Sequence, residues 1–133
     1  MDMTRRHVFN GNPMEEIAGF SRAVRVGPWV SVGGTAPVGP DGKTVGVGDV
    51  AAQTRRCYEI AEAALKVAGA SMADVVRTRL LLVDIADWKT ATMVRREFCG
   101  EAKPVETIMA VSAFVNPEWL VEIEVDALIA DRP

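Results

Sequence analysis

The sequence predicts an α+β sandwich of order β-β-α-β-α-β-β, with two helices packed on one face of a mixed sheet. Three observations carry this. Short β-prone runs bounded by glycine and proline lie towards both ends of the chain, two stretches between them place apolar residues at three- and four-residue steps, and apolar and acidic residues alternate from Val121 to Ala127. At 133 residues the chain reads as one domain spanning 1–133, long enough for a core and short enough that oligomerisation would add useful burial.

Residues 21–26 and 29–35 are β-prone runs split by Gly27-Pro28, which reads as a hairpin, and the GPDG of Gly39 to Gly42 marks another turn. Asp49 then precedes a helix in which Val50, Thr54, Cys57, Tyr58, Ala61, Leu65 and Ala68 share one face, ending at Gly69. Arg55, Arg56, Glu59, Glu62 and Lys66 take the other face. Ser71 with Asp74 forms a weaker version of a capping box, and the apolar end of the following strand, 75–83, suggests burial on both faces. Asp87 is placed to cap a second helix, 88–98, closed by Gly100. Residues 105–112 and 120–129 read as a strand couple linked by a turn at Asn116-Pro117, with Glu106 and Glu122 at facing positions. Two helices on one side leave the other sheet face to be covered, and another subunit would do so.

Composition excludes several classes. A hydrophobic fraction of 49%, a charged fraction of 25% and 6% aromatics are ordinary for a soluble globular protein. The longest strongly apolar run, Leu80 to Val83, is far too short to span a bilayer, and MDMTRRHVF has no apolar signal core, so a cytoplasmic protein without membrane association is expected. A net charge of −3 argues against nucleic-acid binding, and Arg55-Arg56 and Arg95-Arg96 fall on solvated helix faces. Cys57 and Cys99 are too few and too far apart for a disulfide framework or a C-x-x-C site. Cys99 also lies near a helix C-terminus, where the dipole disfavours a thiolate. With His7 as the sole histidine, neither a His-based zinc site nor a Ser-His-Asp relay can be assembled within the chain.

Ordered motifs over residues 19–129 resemble the YjgF/RidA family, also called the endoribonuclease L-PSP or translation-initiation-inhibitor-like family. Gly19 to Val24, GFSRAV, resembles the family's G-P-Y-S-Q-A-V; Val32 to Pro37, VGGTAP, resembles I-S-G-Q-I-P; Asp49 to Thr54 follows D-I-x-x-Q-T; and Val121 to Glu124 matches V-E-I-E. The resemblance implies a chorismate-mutase-like fold and a homotrimer with clefts at subunit boundaries. It also implies cofactor-independent hydrolysis of a C–N substrate, with no metal, in which the glutamate matched by Glu122 activates water. Departures cluster where ligands would bind. Phe20 stands for a tyrosine, Gly33 for a residue with a hydroxyl, Thr92 for an asparagine that often faces the cleft, and Ile108 for a cysteine. Glu106 occupies the place of the arginine that grips the carboxylate of an imino acid.

Alternation alone explains Glu122, Glu124 and Asp126 as a solvated sheet face, and the V-E-I-E match singles out Glu122 as catalytic. The resemblance implies substrate contacts at Phe20, Gly34, Thr35, Thr92, Glu106 and Thr107. Gly33-Gly34 reads equally as a packing device or as a place of close ligand approach, and the family match favours the ligand. Trp119 reads as a core or interface aromatic. If Glu106 and Glu122 share one cleft, they would repel anions and shift ligand preference away from free 2-imino acids. The leading expectation is therefore a small-molecule-binding protein of this family that hydrolyses an imine, enamine or related C–N bond. The alternative is a non-catalytic trimeric metabolite-binding or chaperone-like protein, and a ribonuclease or translation inhibitor comes third.

Overall fold

Six strands pair into one sheet in the computed structural model, which describes residues 2–130. In chain order the elements are β1 (Arg6–Val8), α1 (Met14–Ala18), β2 (Ala23–Val26), β3 (Trp29–Thr35), α2 (Val50–Val67), β4 (Val75–Leu82), α3 (Trp88–Cys99), β5 (Val105–Ala110) and β6 (Val121–Leu128). The expected β-β-α-β-α-β-β order runs from β2 to β6. β1 and α1 were not expected, since three and five residues are too few for periodicity to register. The strand order is β1-β2-β3-β6-β4-β5, antiparallel except for β4 and β5.

That order corrects the expectation of a turn-linked β5–β6 couple. β5 lies parallel to β4 at the sheet edge, reached through α3, which is the crossover a parallel pair requires. β6 instead inserts between β3 and β4, antiparallel to both. Its apolar positions explain the central place: Val121, Ile123, Val125 and Ala127 are all at most 1% exposed. Together with Val30, Val32, Leu80 and Leu82 they meet Cys57, Tyr58, Ala61 and Leu65 of α2 in the core.

The ends of α2 follow the sequence closely. The Asp49 side chain accepts a hydrogen bond from Ala52 N–H at 3.1 Å, and the Gly69 backbone has φ +87°, which lets the chain leave the helix. Gln53, fully buried, fastens α2 to the loop before β6. Its amide nitrogen donates to the Gly46 and Glu118 carbonyls at 3.1 and 3.0 Å, and its oxygen accepts from Leu120 N–H at 2.8 Å. The Ser71–Asp74 capping box forms as read. The expected Asp87 cap does not form; Asp84 instead accepts from Ala86 N–H at 2.9 Å and caps a short 3-10 turn ahead of α3.

Helices α2 and α3 lie on one face of the sheet. Alternation sends Ser31, Glu122, Glu124, Asp126, Arg79, Leu81, Thr107 and Met109 to the opposite face, which neither helix covers.

Candidate functional site

Glu122 sits on the uncovered face, opposite Leu81 of β4 and beside an irregularity in the β3–β6 register between Val32 and Thr35. The irregularity brings Gly34 under the carboxylate: a Cβ there would lie 3.2 Å from Glu122 Oε1. Its neighbours in the acidic row are engaged elsewhere. Arg79 Nη1 lies 3.8 Å from Glu124 Oε1 and 4.0 Å from Asp126 Oδ2, and Ser31 Oγ donates to Asp126 Oδ1 at 2.9 Å. Among the described residues Glu122 is thus the carboxylate of the row without an ion-pair contact. Partial burial pushes its pKa up, the Arg22 guanidinium pulls it down, and Glu124 adds to the rise.

Arg22 belongs to the GFSRAV segment but was not expected in the site. Ala23 is sealed towards the helices and pairs with Val32, so alternation turns Arg22 to the Glu122 face, over Gly33. Its Nη2 donates to the Gly34 carbonyl at 2.5 Å, and a Cβ on Gly33 would lie 3.1 Å from the same nitrogen. The glycine pair therefore makes room for two charged side chains of the chain itself, Arg22 above one residue and Glu122 beside the other.

The structure places Glu106 on the other side of the sheet. Its register partner is Thr78, fully buried on the helix side, and its Oε2 accepts from Thr78 Oγ1 at 2.8 Å and pairs directly with Arg95 Nε of α3. Its Oε1 accepts from Thr107 N–H at 3.0 Å. Burial pushes the Glu106 pKa up against the pull of the Thr78 hydroxyl and Arg95. Within the chain, then, Glu106 and Glu122 do not face one another, because they occupy opposite faces of the sheet. With its charge taken up by Arg95, Glu106 gives no ground within one chain for a doubly acidic cleft.

Thr35 also departs from expectation. It pairs with Ile123 on the helix side, is fully buried, and donates its hydroxyl to the Gly33 carbonyl at 2.7 Å. Thr92 lies on α3 with its hydroxyl buried and without a partner among the described residues. Thr107 is on the Glu122 face, but on β5, beyond β4, and its N–H is occupied by Glu106. Phe20 follows α1 and is 40% exposed, lining a cleft of about 650 Å³ with His7, Phe9, Glu15 and Ser21. There His7 Nδ1 lies 2.9 Å from Ser21 Oγ and the His7 ring stacks on Phe9. Of the seven residues expected, the chain alone brings Glu122 and Gly34 together.

Both thiols are inert. Cys57 is fully buried and its pKa is raised by that burial, while Cys99 is pushed up to about 11 by burial against the pull of Arg95. Among the described residues no three His, Cys, Asp or Glu side chains come together as a metal-ligand set.

Comparison with known proteins agrees with the fold. The model of the endoribonuclease L-PSP family matches residues 11–129. The chain belongs to the YjgF/RidA family. A YjgF/YER057c/UK114 family protein of Mycobacterium tuberculosis, known from its crystal structure, shares 42% identity at a TM-score of 0.85, over 95% of this chain and 100% of that one. A RutC family protein of Pyrococcus abyssi is 33% identical over 122 residues, 92% of this chain and 95% of its own. The 3-aminoacrylate deaminase RutC of Acinetobacter baylyi is 34% identical over 107 residues, 80% of this chain and 84% of its own. As a YjgF/RidA member, the chain carries a glutamate at 122 and a glycine at 34. At 106 it carries a glutamate engaged in an internal ion pair.

Proposed function

We propose that this protein is a hydrolase of imine or enamine C–N bonds that works without a cofactor, with Glu122 as its general base. The observation that carries the reading is Glu122 itself. It is half-buried, raised in pKa and free of an ion-pair contact among the described residues, beside a glycine that leaves space at its carboxylate. Conversion of 3-aminoacrylate by a RutC relative supports the reaction class. Glu122 takes a proton from water as the water oxygen bonds to the carbon of the protonated C=N, which leaves a neutral carbinolamine. Glu122 then passes that proton to nitrogen, and as the C–N bond breaks the carbinolamine hydroxyl gives its proton back to Glu122, from which it passes to solvent. A carbonyl compound and ammonia leave, and an enamine enters the same sequence once it tautomerises to the imine. Backbone groups near Gly34 hold the substrate.

We place the working site in a homotrimer, where Phe20 and Thr107 of a neighbouring subunit would approach Glu122 across subunit boundaries, while Glu106 and Thr92 stay on the helix side of their own chain. The uncovered face supports this, with Met109 at its β5 end, Trp29 and Leu128 at the other, and each at least 40% exposed. Two buried free cysteines suit a reducing, cytoplasmic setting. Among the described residues no helix is long and apolar enough to cross a membrane. The acidic row of Glu122, Glu124 and Asp126, with Arg79 committed to two of them, makes this face a poor surface for a polyanionic RNA.

The test is hydrolysis of imines generated in situ by purified protein, read as faster loss of trappable imine than in buffer. Acceleration of at least one anionic or neutral imine is expected. Binding of such compounds with no acceleration of any would overturn the hydrolase reading in favour of a metabolite-binding protein.

A further inference from the structure

Two departures from the family's motifs meet in space. Arg22 stands where the family's G-P-Y-S-Q-A-V has glutamine, and Gly33 stands where I-S-G-Q-I-P has serine. They are cross-strand neighbours, Gly33 N–H donating to the Arg22 carbonyl at 3.1 Å. With a Cβ on residue 33 only 3.1 Å from Arg22 Nη2, a side chain there would crowd the guanidinium. The glycine thus leaves room for the guanidinium where it lies.

The guanidinium is left with unspent binding capacity. Nη2 is used on the Gly34 carbonyl, whereas Nε is buried and has no partner among the described residues. Glu15 and Glu122 both act on Arg22 electrostatically, yet neither closes on it as an ion pair among the described residues. Glu15 spends its carboxylate on the Asn10 and Gly11 N–H groups. The contrast with other arginines is direct: Arg95 has closed on Glu106, and Arg79 is shared by Glu124 and Asp126. A half-buried arginine that has lost water and gained no anion favours a ligand that brings one, because its planar fork matches a carboxylate in two hydrogen bonds.

We propose that Arg22 is the anion-recognising residue of this chain, holding a substrate carboxylate over Gly33 and Gly34 beside Glu122. Arg22, the residue before β2, supplies the cation that position 106 lacks. The inference rests on the reading of Glu122 as the hydrolytic base and narrows its substrates to imines or enamines that carry a carboxylate near the C–N bond. It reverses the preference expected if Glu106 and Glu122 shared a cleft.

The experiment uses the full-length protein, wild type, Arg22→Gln and Arg22→Lys, titrated with pyruvate and with its uncharged isostere pyruvamide. Hydrolysis of the imine formed in situ from alanine is followed in parallel. Wild type is expected to bind pyruvate in preference to pyruvamide. Arg22→Gln should lose about 10- to 100-fold in pyruvate affinity, at least about tenfold more than it loses for pyruvamide, and Arg22→Lys should fall between. A matching rise in KM for the imino acid is expected. Equal losses for both ligands would show that Arg22 only supports the strand through Gly34, and would overturn the proposal. So would an unchanged pyruvate affinity in Arg22→Gln, or no preference for pyruvate in wild type. Arg22-dependent pyruvate binding without turnover would uphold the anion site and defeat the hydrolase reading; turnover with KM insensitive to Arg22 would do the reverse.

Discussion

Glu122 differs from Glu124 and Asp126 in partners, not in sequence pattern. All three alternate with apolar residues, and only the structure shows that Arg79 and Ser31 occupy two of them and leave the third. Its raised pKa has a consequence with a defined sign. A carboxyl that holds its proton more tightly when folded contributes stability that is full below the ordinary glutamate range, about 4.3, and is lost as pH rises through the folded value. Wild-type stability relative to Glu122→Gln should therefore fall as pH rises above the ordinary glutamate range, as read by denaturant unfolding at each pH. A difference that stays flat or grows with pH would show that Glu122 is not held in a desolvated place. Glu122 was legible in the sequence because a four-residue motif carried it. Arg22 was legible as a residue but not as a site member, since nothing in the sequence shows that the missing side chain of Gly33 makes its room. Thr35 could not be judged at all by spacing, because the register irregularity before it turns its side chain to the helices.

At the scale of elements, α2, α3 and the strands from β2 to β6 were legible in the sequence pattern, and Asp49 and the Ser71–Asp74 box marked their places locally. Pairing was the harder matter. β5 and β6 are joined by a turn-rich loop and read as a couple, but β6 is the more apolar strand on its inner face and takes the centre, displacing β5 to the edge. That exchange decides the fate of Glu106. On β5 beside Thr78 it faces α3, and its pairing with Arg95 ties that helix to the sheet edge. Restoring arginine at this position is therefore expected to damage the fold instead of repairing a ligand site. Glu106→Arg would set two guanidinium groups together with side-chain exposures of only 12% and 17% in the parent pair, costing about 3 kcal/mol or more. Denaturant unfolding reads this directly; a variant as stable as wild type would mean that Arg95 does not depend on Glu106.

At the scale of the molecule, one sheet face is closed by α2 and α3 and the other is not. The uncovered face mixes the charged row around Glu122 with Trp29, Leu81 and Met109, a composition suited to a partner that buries the apolar positions and leaves a polar cleft between them. Size-exclusion chromatography with light scattering is expected to give three times the mass of the chain at micromolar concentration, and a monomer there would remove the shared-cleft arrangement. The sequence announced an unclad face through its count of helices but could not state the number of copies, which depends on the shape of a surface and not on the pattern of a strand. The most direct measurement for the whole reading is imine hydrolysis by the assembled protein and by Glu122→Gln at equal subunit mass. Wild type should hydrolyse an imine with a rate that rises with pH as Glu122 ionises, and the variant should lose at least about 100-fold. Undiminished turnover in Glu122→Gln would contradict the assignment of Glu122 as the base.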